Sequence, residues 1–256
     1  MSYNKFEKQM SIFKMLKDYQ LKFSLQILVS FLMCMLTHKA YGLQESTGLW
    51  LDAAINDRIP TLTKWHYNIE GQLRFKDLAN YYELTKVYAG IEYRYKPGLN
   101  LSGGYFWSSH NPLSDSVREN GLWEEIVAEV IKKDNFVLRN RTRFEQYSRM
   151  HQPQWQSRVR EKIALYFPNK ITNKFVPLVS NEIFVKLNDP EWSNDKAVQE
   201  NRLFIGTDFQ ATSTIFWQIG YLQRLQFQTT GNKLSNILYV GIRYNPLHET
   251  VEDYVD

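Results

Sequence analysis

The sequence predicts an all-β chain, an antiparallel up-and-down transmembrane β-barrel of about 12 strands with 10 as the alternative. Three observations lead there. Apolar and polar residues alternate with a period of two along most of the chain, the signature of strands with one apolar and one polar face. The alternating runs are each about 9 to 13 residues long, enough for a tilted strand to cross a bilayer. The connections between them are short and long in turn, as in barrels whose long loops lie outside the cell.

The first element is a leader. Residues 1–42 begin with Lys5, Lys8, Lys14, Lys17 and Lys22, continue with the uncharged and mostly apolar run 23–36, and end on Ala40 and Gly42. A positive region, a short apolar region and a small-residue exit make a secretory signal peptide. The apolar run is short for a spanning helix, which needs about 20 residues; an uncleaved anchor is the alternative. Cys34, the only cysteine, lies inside this leader behind Leu32 and Met33, not the small residues that a lipoprotein signal needs. The remainder therefore has neither a disulfide framework nor a thiolate metal site. The leader also carries six Lys against two acidic residues, and without it basic and acidic residues balance at 25 each. The net charge of +4 is therefore no footprint of nucleic-acid binding. The expected organisation is a signal peptide at 1–42, a barrel domain at 43–245 and a short acidic tail at 246–256.

The clearest strand is WHYNIEGQLRFK, residues 65–76. Trp65, Tyr67, Ile69, Leu73 and Phe75 are expected to face lipid, and His66, Asn68, Glu70, Gln72 and Arg74 the lumen. Residues 85–95 and 99–107 alternate in the same way on either side of Lys96-Pro97-Gly98, where Pro presets φ and Gly accepts positive φ, so they form a hairpin. Further strands are expected at 48–56, 122–131, 135–147, 157–167, 178–187, 201–210, 213–224 and 236–245. These make eleven, and a twelfth is expected because bacterial barrels have even counts. Short connections fall at 96–98, 132–134 and 211–212, and long ones at 108–120, 148–156, 188–200 and 225–235. Aromatics near strand ends, such as Tyr93 with Tyr95 and Tyr105 with Trp107, suit interfacial girdles. A mean hydropathy of −0.45 is compatible with a barrel, in which only alternate strand residues meet lipid, and excludes a bundle of apolar helices.

Chemistry-bearing motifs are sparse. His66, His110, His151 and His248 show no metal-ligand spacing within one element, and neither a metal nor a cofactor is expected. SGGY at 102–105 lies in a strand, where Gly marks a bend or close packing rather than a phosphate loop. Ser108, Ser109 and His110 adjoin in an outer loop and support only a minor alternative, a barrel-embedded lipid hydrolase, since a working base must also be oriented by a third group. No catalytic residues are assigned. The strongest polar feature is a wall of cations: Arg139, Arg141 and Arg143 share one parity, Arg158, Arg160 and Lys162 share another across the next loop, and Arg202 adds to them. Such a lumen can attract small anionic solutes. Glu70, Glu92, Glu182 and Asp208 have the parity to pair with these cations. A closed internal salt-bridge network is the favoured state, because unpaired charge in a confined lumen is costly.

Four segments, WHYNIEGQLRF at 65–75, ENRLFIGTDF at 200–209, FWQIGYLQR at 216–224 and ILYVGIRYN at 237–245, resemble the bacterial family called domain of unknown function 2490, over roughly residues 47–245. The resemblance implies a secreted, barrel-forming outer-membrane protein and carries over no catalytic residues; outer-membrane lipid and the barrel-assembly machinery are the partners expected of such a barrel. The expected function is a narrow channel, or a structural or transport-associated barrel, without catalytic activity. A soluble periplasmic barrel holding an apolar ligand is the alternative; in it the apolar parity would point inward.

Overall fold

The computed structural model describes residues 44–245 apart from 112, 114–115, 169–173 and 194–195. The expected signal peptide and acidic tail lie outside the described residues. Among the described residues, eleven strands follow one another: β1 (Gln44–Ile59), β2 (Leu62–Lys76), β3 (Tyr81–Lys96), β4 (Leu99–His110), β5 (Val117–Lys133), β6 (Phe136–Arg149), β7 (Trp155–Tyr166), β8 (Phe175–Lys186), β9 (Val198–Gln210), β10 (Ile215–Gln226) and β11 (Lys233–Tyr244). Each pairs antiparallel with its sequence neighbours, and β1 closes the barrel against β11 in parallel.

That closure corrects the expected count of twelve, and the alternative of ten. The parallel register runs from Gln44↔Lys233 to Ile55↔Tyr244, so every strand edge is paired with eleven strands. An even count is needed only when the first and last strands meet antiparallel. Odd-stranded closed barrels are known from mitochondria.

The rims differ. At one rim lie the connections 77–80, 111–116, 150–154, 187–197 and 227–232; at the other lie 60–61, 97–98, 134–135, 167–174 and 211–214. Long and short connections therefore segregate largely as read from the sequence, with 167–174 as the exception at the short-turn rim. Strands run further into the loops than expected; β5, for example, begins at Val117 rather than 122. The Lys96-Pro97-Gly98 turn forms as expected, with Gly98 at φ +72° and its carbonyl accepting from the Glu129 amide at 2.7 Å.

The alternation sorts side chains cleanly. Trp65, Ile69 and Leu73 on the outer face are 40%, 49% and 38% exposed, while His66 between them is 2% exposed. Two glycine pairs make room for inward rings. Gly90 lies opposite Gly104, and a Cβ at Gly90 would collide with the Trp123 ring while one at Gly104 would collide with the Ala89 carbonyl. Gly206 lies opposite Gly220, and the Phe204 ring covers both. The close-packing reading of the glycines in 102–105 is therefore right for Gly104.

One outward sector is polar. Thr142 donates to Glu161 at 2.7 Å and Asn140 donates to the same carboxylate, with Glu124 also on the outer face and exposed. The Asn181 amide is used by Asn201 at 3.2 Å and by the Arg202 carbonyl at 2.9 Å.

Gly104→Val should lower barrel stability by about 1–3 kcal/mol, because the added methyls have no space. Gly71→Val, where a Cβ meets only the Ala53 carbonyl at 4.0 Å, should leave the urea unfolding midpoint unchanged within about 0.5 kcal/mol.

Candidate functional site

The barrel interior divides into a filled half and an open half. Toward the long-loop rim, Tyr88, Phe106, Trp123 and Tyr147 form a buried ring cluster, with centroids 5.6 Å apart for Tyr88–Phe106 and 5.9 Å for Phe106–Tyr147. Trp192, from the β8–β9 connection, packs on Tyr147 at 5.8 Å, and its indole N–H donates to the Gln154 carbonyl at 3.0 Å. Two long connections thus meet over the mouth of this half. Lys86 sets its ammonium 3.9 Å from the Phe106 ring centre, and Arg143 sets its guanidinium 4.6 Å from that of Trp123. Such contacts stabilise a desolvated cation.

At mid-height an ion-pair belt crosses the lumen. Glu145, fully buried at 0% side-chain exposure, accepts from Arg158 at 2.5 Å and Arg160 at 2.7 Å. Glu182 is shared by Arg141 at 2.6 Å, Arg160 at 2.7 Å and Arg202 at 3.8 Å. Glu125 pairs with Arg143 at 2.5 Å and Arg141 at 3.5 Å. Glu200 pairs with Arg202 and, at 2.9 Å, with Arg224, and Arg224 reaches Glu83 on β3 at 3.8 Å. The decisive contact is Arg160 Nη1 donating to Tyr88 Oη at 3.3 Å: β7 and β3 stand on opposite walls, so this bond spans the lumen. Beside it, Arg74 stacks on Trp50 at 3.8 Å.

On the other side of the belt lies a cavity of about 1150 Å³ that reaches the short-turn rim at Pro97 and Gly98. Its floor includes Tyr88, Arg143, Arg160, Glu182 and Arg202, and its walls include Glu70, Arg139, Arg141, Lys162 and Asp208. Cations outnumber carboxylates along its surface.

Most of the lumen residues read from the sequence thus meet around one cavity. Arg158 does not; it lies within the filled half, bonded to Glu145 and, at 3.2 Å, to the Tyr147 hydroxyl. Glu70 has the inward parity but a different partner, accepting from Gln72 at 2.5 Å, while Gln72 also donates to Asp52 and accepts from Arg74. Trp65, Tyr67, Ile69, Leu73 and Phe75 all lie on the outer face. Sequence reading passed over Tyr88, Trp50, Asp52, Glu125 and Glu200 as interior residues. Parity marks each of them as inward, but the partner across the lumen is invisible in a local pattern. His110 is held by Glu119 at 3.2 Å on the inner face, and among the described residues no hydroxyl is bonded to it. The Ser–His constellation is therefore not assembled.

Glu182→Gln leaves Arg141, Arg160 and Arg202 around a neutral amide. It should cost about 3–5 kcal/mol in urea unfolding, as expected for a buried pair broken from one side. Glu161→Gln on the outer face should cost less than about 1 kcal/mol, because its carboxylate is held by the neutral donors Asn140 and Thr142 and its loss strands no buried cation.

Comparison with known proteins places the chain. A protein of Methylorubrum extorquens described as uncharacterised is 26% identical over 204 residues, covering 76% of this chain and 85% of that protein. The family model described as protein of unknown function (DUF2490) matches residues 47–235. Since that match covers most of the chain and nearly the whole barrel, the protein belongs to the DUF2490 family.

Proposed function

We propose that the protein is an outer-membrane barrel whose lumen is shut at mid-height, leaving a blind vestibule that faces the periplasm. The reading rests on one observation above others, the inverted distribution of side chains. Ile55, Ile69, Ile91, Leu122, Ile126, Ile205 and Leu238 are exposed on the outside, while Arg143, Arg160, Glu145 and Glu182 are buried inside. A water-soluble barrel has the opposite arrangement, because contiguous exposed apolar surface is unfavourable in water.

The leader read at 1–42 and the family resemblance support the same setting. The short-turn rim is taken as periplasmic, as in bacterial barrels. In the polar sector, the Glu161 carboxylate is bonded by Asn140 and Thr142, and a carboxylate on the lipid face costs a barrel less than an Arg or Lys there. Passive permeation through the centre is not part of this reading, since the belt and the ring cluster fill the lumen. The protein serves instead as a structural or transport-associated barrel, and its vestibule is the surface available to solutes.

The test combines cell fractionation with gel mobility before and after boiling. The protein should partition with the outer membrane and migrate faster unboiled. Ile69→Arg, at a mid-strand outer position, should cost about 2–4 kcal/mol of folded barrel if lipid covers it. A soluble periplasmic fraction, with Ile69→Arg tolerated, would overturn the membrane reading.

A further inference from the structure

We propose that the vestibule binds a solute that joins an oxyanion, phosphate or carboxylate, to an apolar ring-sized body, with Lys162 as the anchoring cation. This deepens the function proposed above and rests on the vestibule being a blind pocket rather than part of a pore.

Charge comes first. The Glu182 carboxylate is shared by three guanidiniums, and Lys162 lies beside it as the fourth cation. In register, Lys162 faces Arg141 on β6 and Glu182 on β8. The charges around it are Arg141, Glu182, Asp208 and Arg160, and among the described residues Lys162 makes no ion pair. Arg141, next to it, keeps 24% of its side-chain surface exposed, and both line the cavity. An ammonium that lines a cavity without an ion-pair partner, beside a carboxylate already shared by three guanidiniums, suits a further anion. Lys supplies a point charge and Arg a planar fork, the pair of donors that a phosphate or carboxylate group takes.

The apolar half of the ligand is read from the next rows of the same wall. Moving from Lys162 toward the short-turn rim, the inward residues are Ala164, Ser180 and Phe204, which lie side by side across β7, β8 and β9. Tyr166 and Tyr239 pack against the cluster containing Phe204, and the Phe204 and Tyr239 rings meet edge to face at 5.4 Å. Tyr166 and Tyr239 line the cavity and are only partly buried. Inward residues two apart on a strand stand roughly 7 Å apart along it, so an oxyanion at Lys162 sets its substituent over these rings. The volume of about 1150 Å³ accommodates such a molecule with room for water.

The test is isothermal titration of the purified full-length barrel in zwitterionic detergent at low ionic strength, with inorganic phosphate, phenyl phosphate and benzoate as probes. Saturable binding is expected for phenyl phosphate, at least tenfold tighter than for inorganic phosphate. The ratio of phenyl phosphate to benzoate affinity tells whether phosphate or carboxylate is the better head. Lys162→Met should weaken phenyl phosphate at least tenfold while the boiling-dependent gel shift is retained. Lys233→Gln, at the start of β11 on the opposite, long-loop rim, should bind like the wild type. Lys162→Arg, which keeps the charge, should retain part of the affinity and covers the case in which Lys162→Met fails to fold. Equal binding by Lys162→Met and wild type, or no saturable binding by any probe to a barrel that still shifts on boiling, would overturn the inference and leave the membrane reading standing. A soluble chain without the shift would instead defeat the membrane reading.

Discussion

Two carboxylates, Glu145 and Glu182, govern the interior. Each is deeply buried and each is shared by more than one arginine. A buried carboxylate is tolerable only when its lone pairs are taken by well-placed donors, and the arginines in turn need surfaces for their planar faces. The rings supply those: Arg158 and Arg160 lie over Phe184 at 5.4 Å and 4.6 Å, and Arg202 over the same ring at 4.3 Å. The belt is thus a layered structure of carboxylates, guanidiniums and aromatic faces. Its position at mid-height divides the barrel into a filled half and an open one.

Closure and content are linked. The facing glycines Gly90 and Gly104 let Trp123 lie inward, which brings its face under Arg143; Gly206 and Gly220 do the same for Phe204, which then forms the apolar wall of the vestibule. Small residues on the strands therefore set where large ones enter the lumen. The parallel β1–β11 pair leaves the two ends of the described chain at opposite rims and completes the sheet without a further strand.

Much of this was legible in the sequence because a strand exposes its faces by parity alone. In 65–76 the alternation assigns every side chain to one wall surface, and the structure agrees at Ile69 and His66. The cation wall on β6 and β7 was legible for the same reason, and so was the preference for a paired interior over an open, cation-lined pore. The strand count was not, because the direction in which first and last strands meet is a property of the whole ring and leaves no local mark. Nor was the contact of Arg160 with Tyr88, whose positions lie 72 residues apart, or the packing of Trp192 on Tyr147, which depends on how a long connection folds back. Glu70 shows the limit of parity: it points inward as expected, but Gln72 reaches it before any guanidinium does.

Side chains, not a separate plug, close the centre of this barrel: Arg160 meets Tyr88 across it and the ring cluster lies behind them. The direct measurement is the conductance of the purified barrel inserted in a planar lipid bilayer. With Arg160 bonded to Tyr88 across the centre and the ring cluster behind it, inserted barrels should give no steady stepwise current at moderate voltage. Stable ohmic steps from the wild-type protein would contradict the closure and restore an open, cation-lined pore.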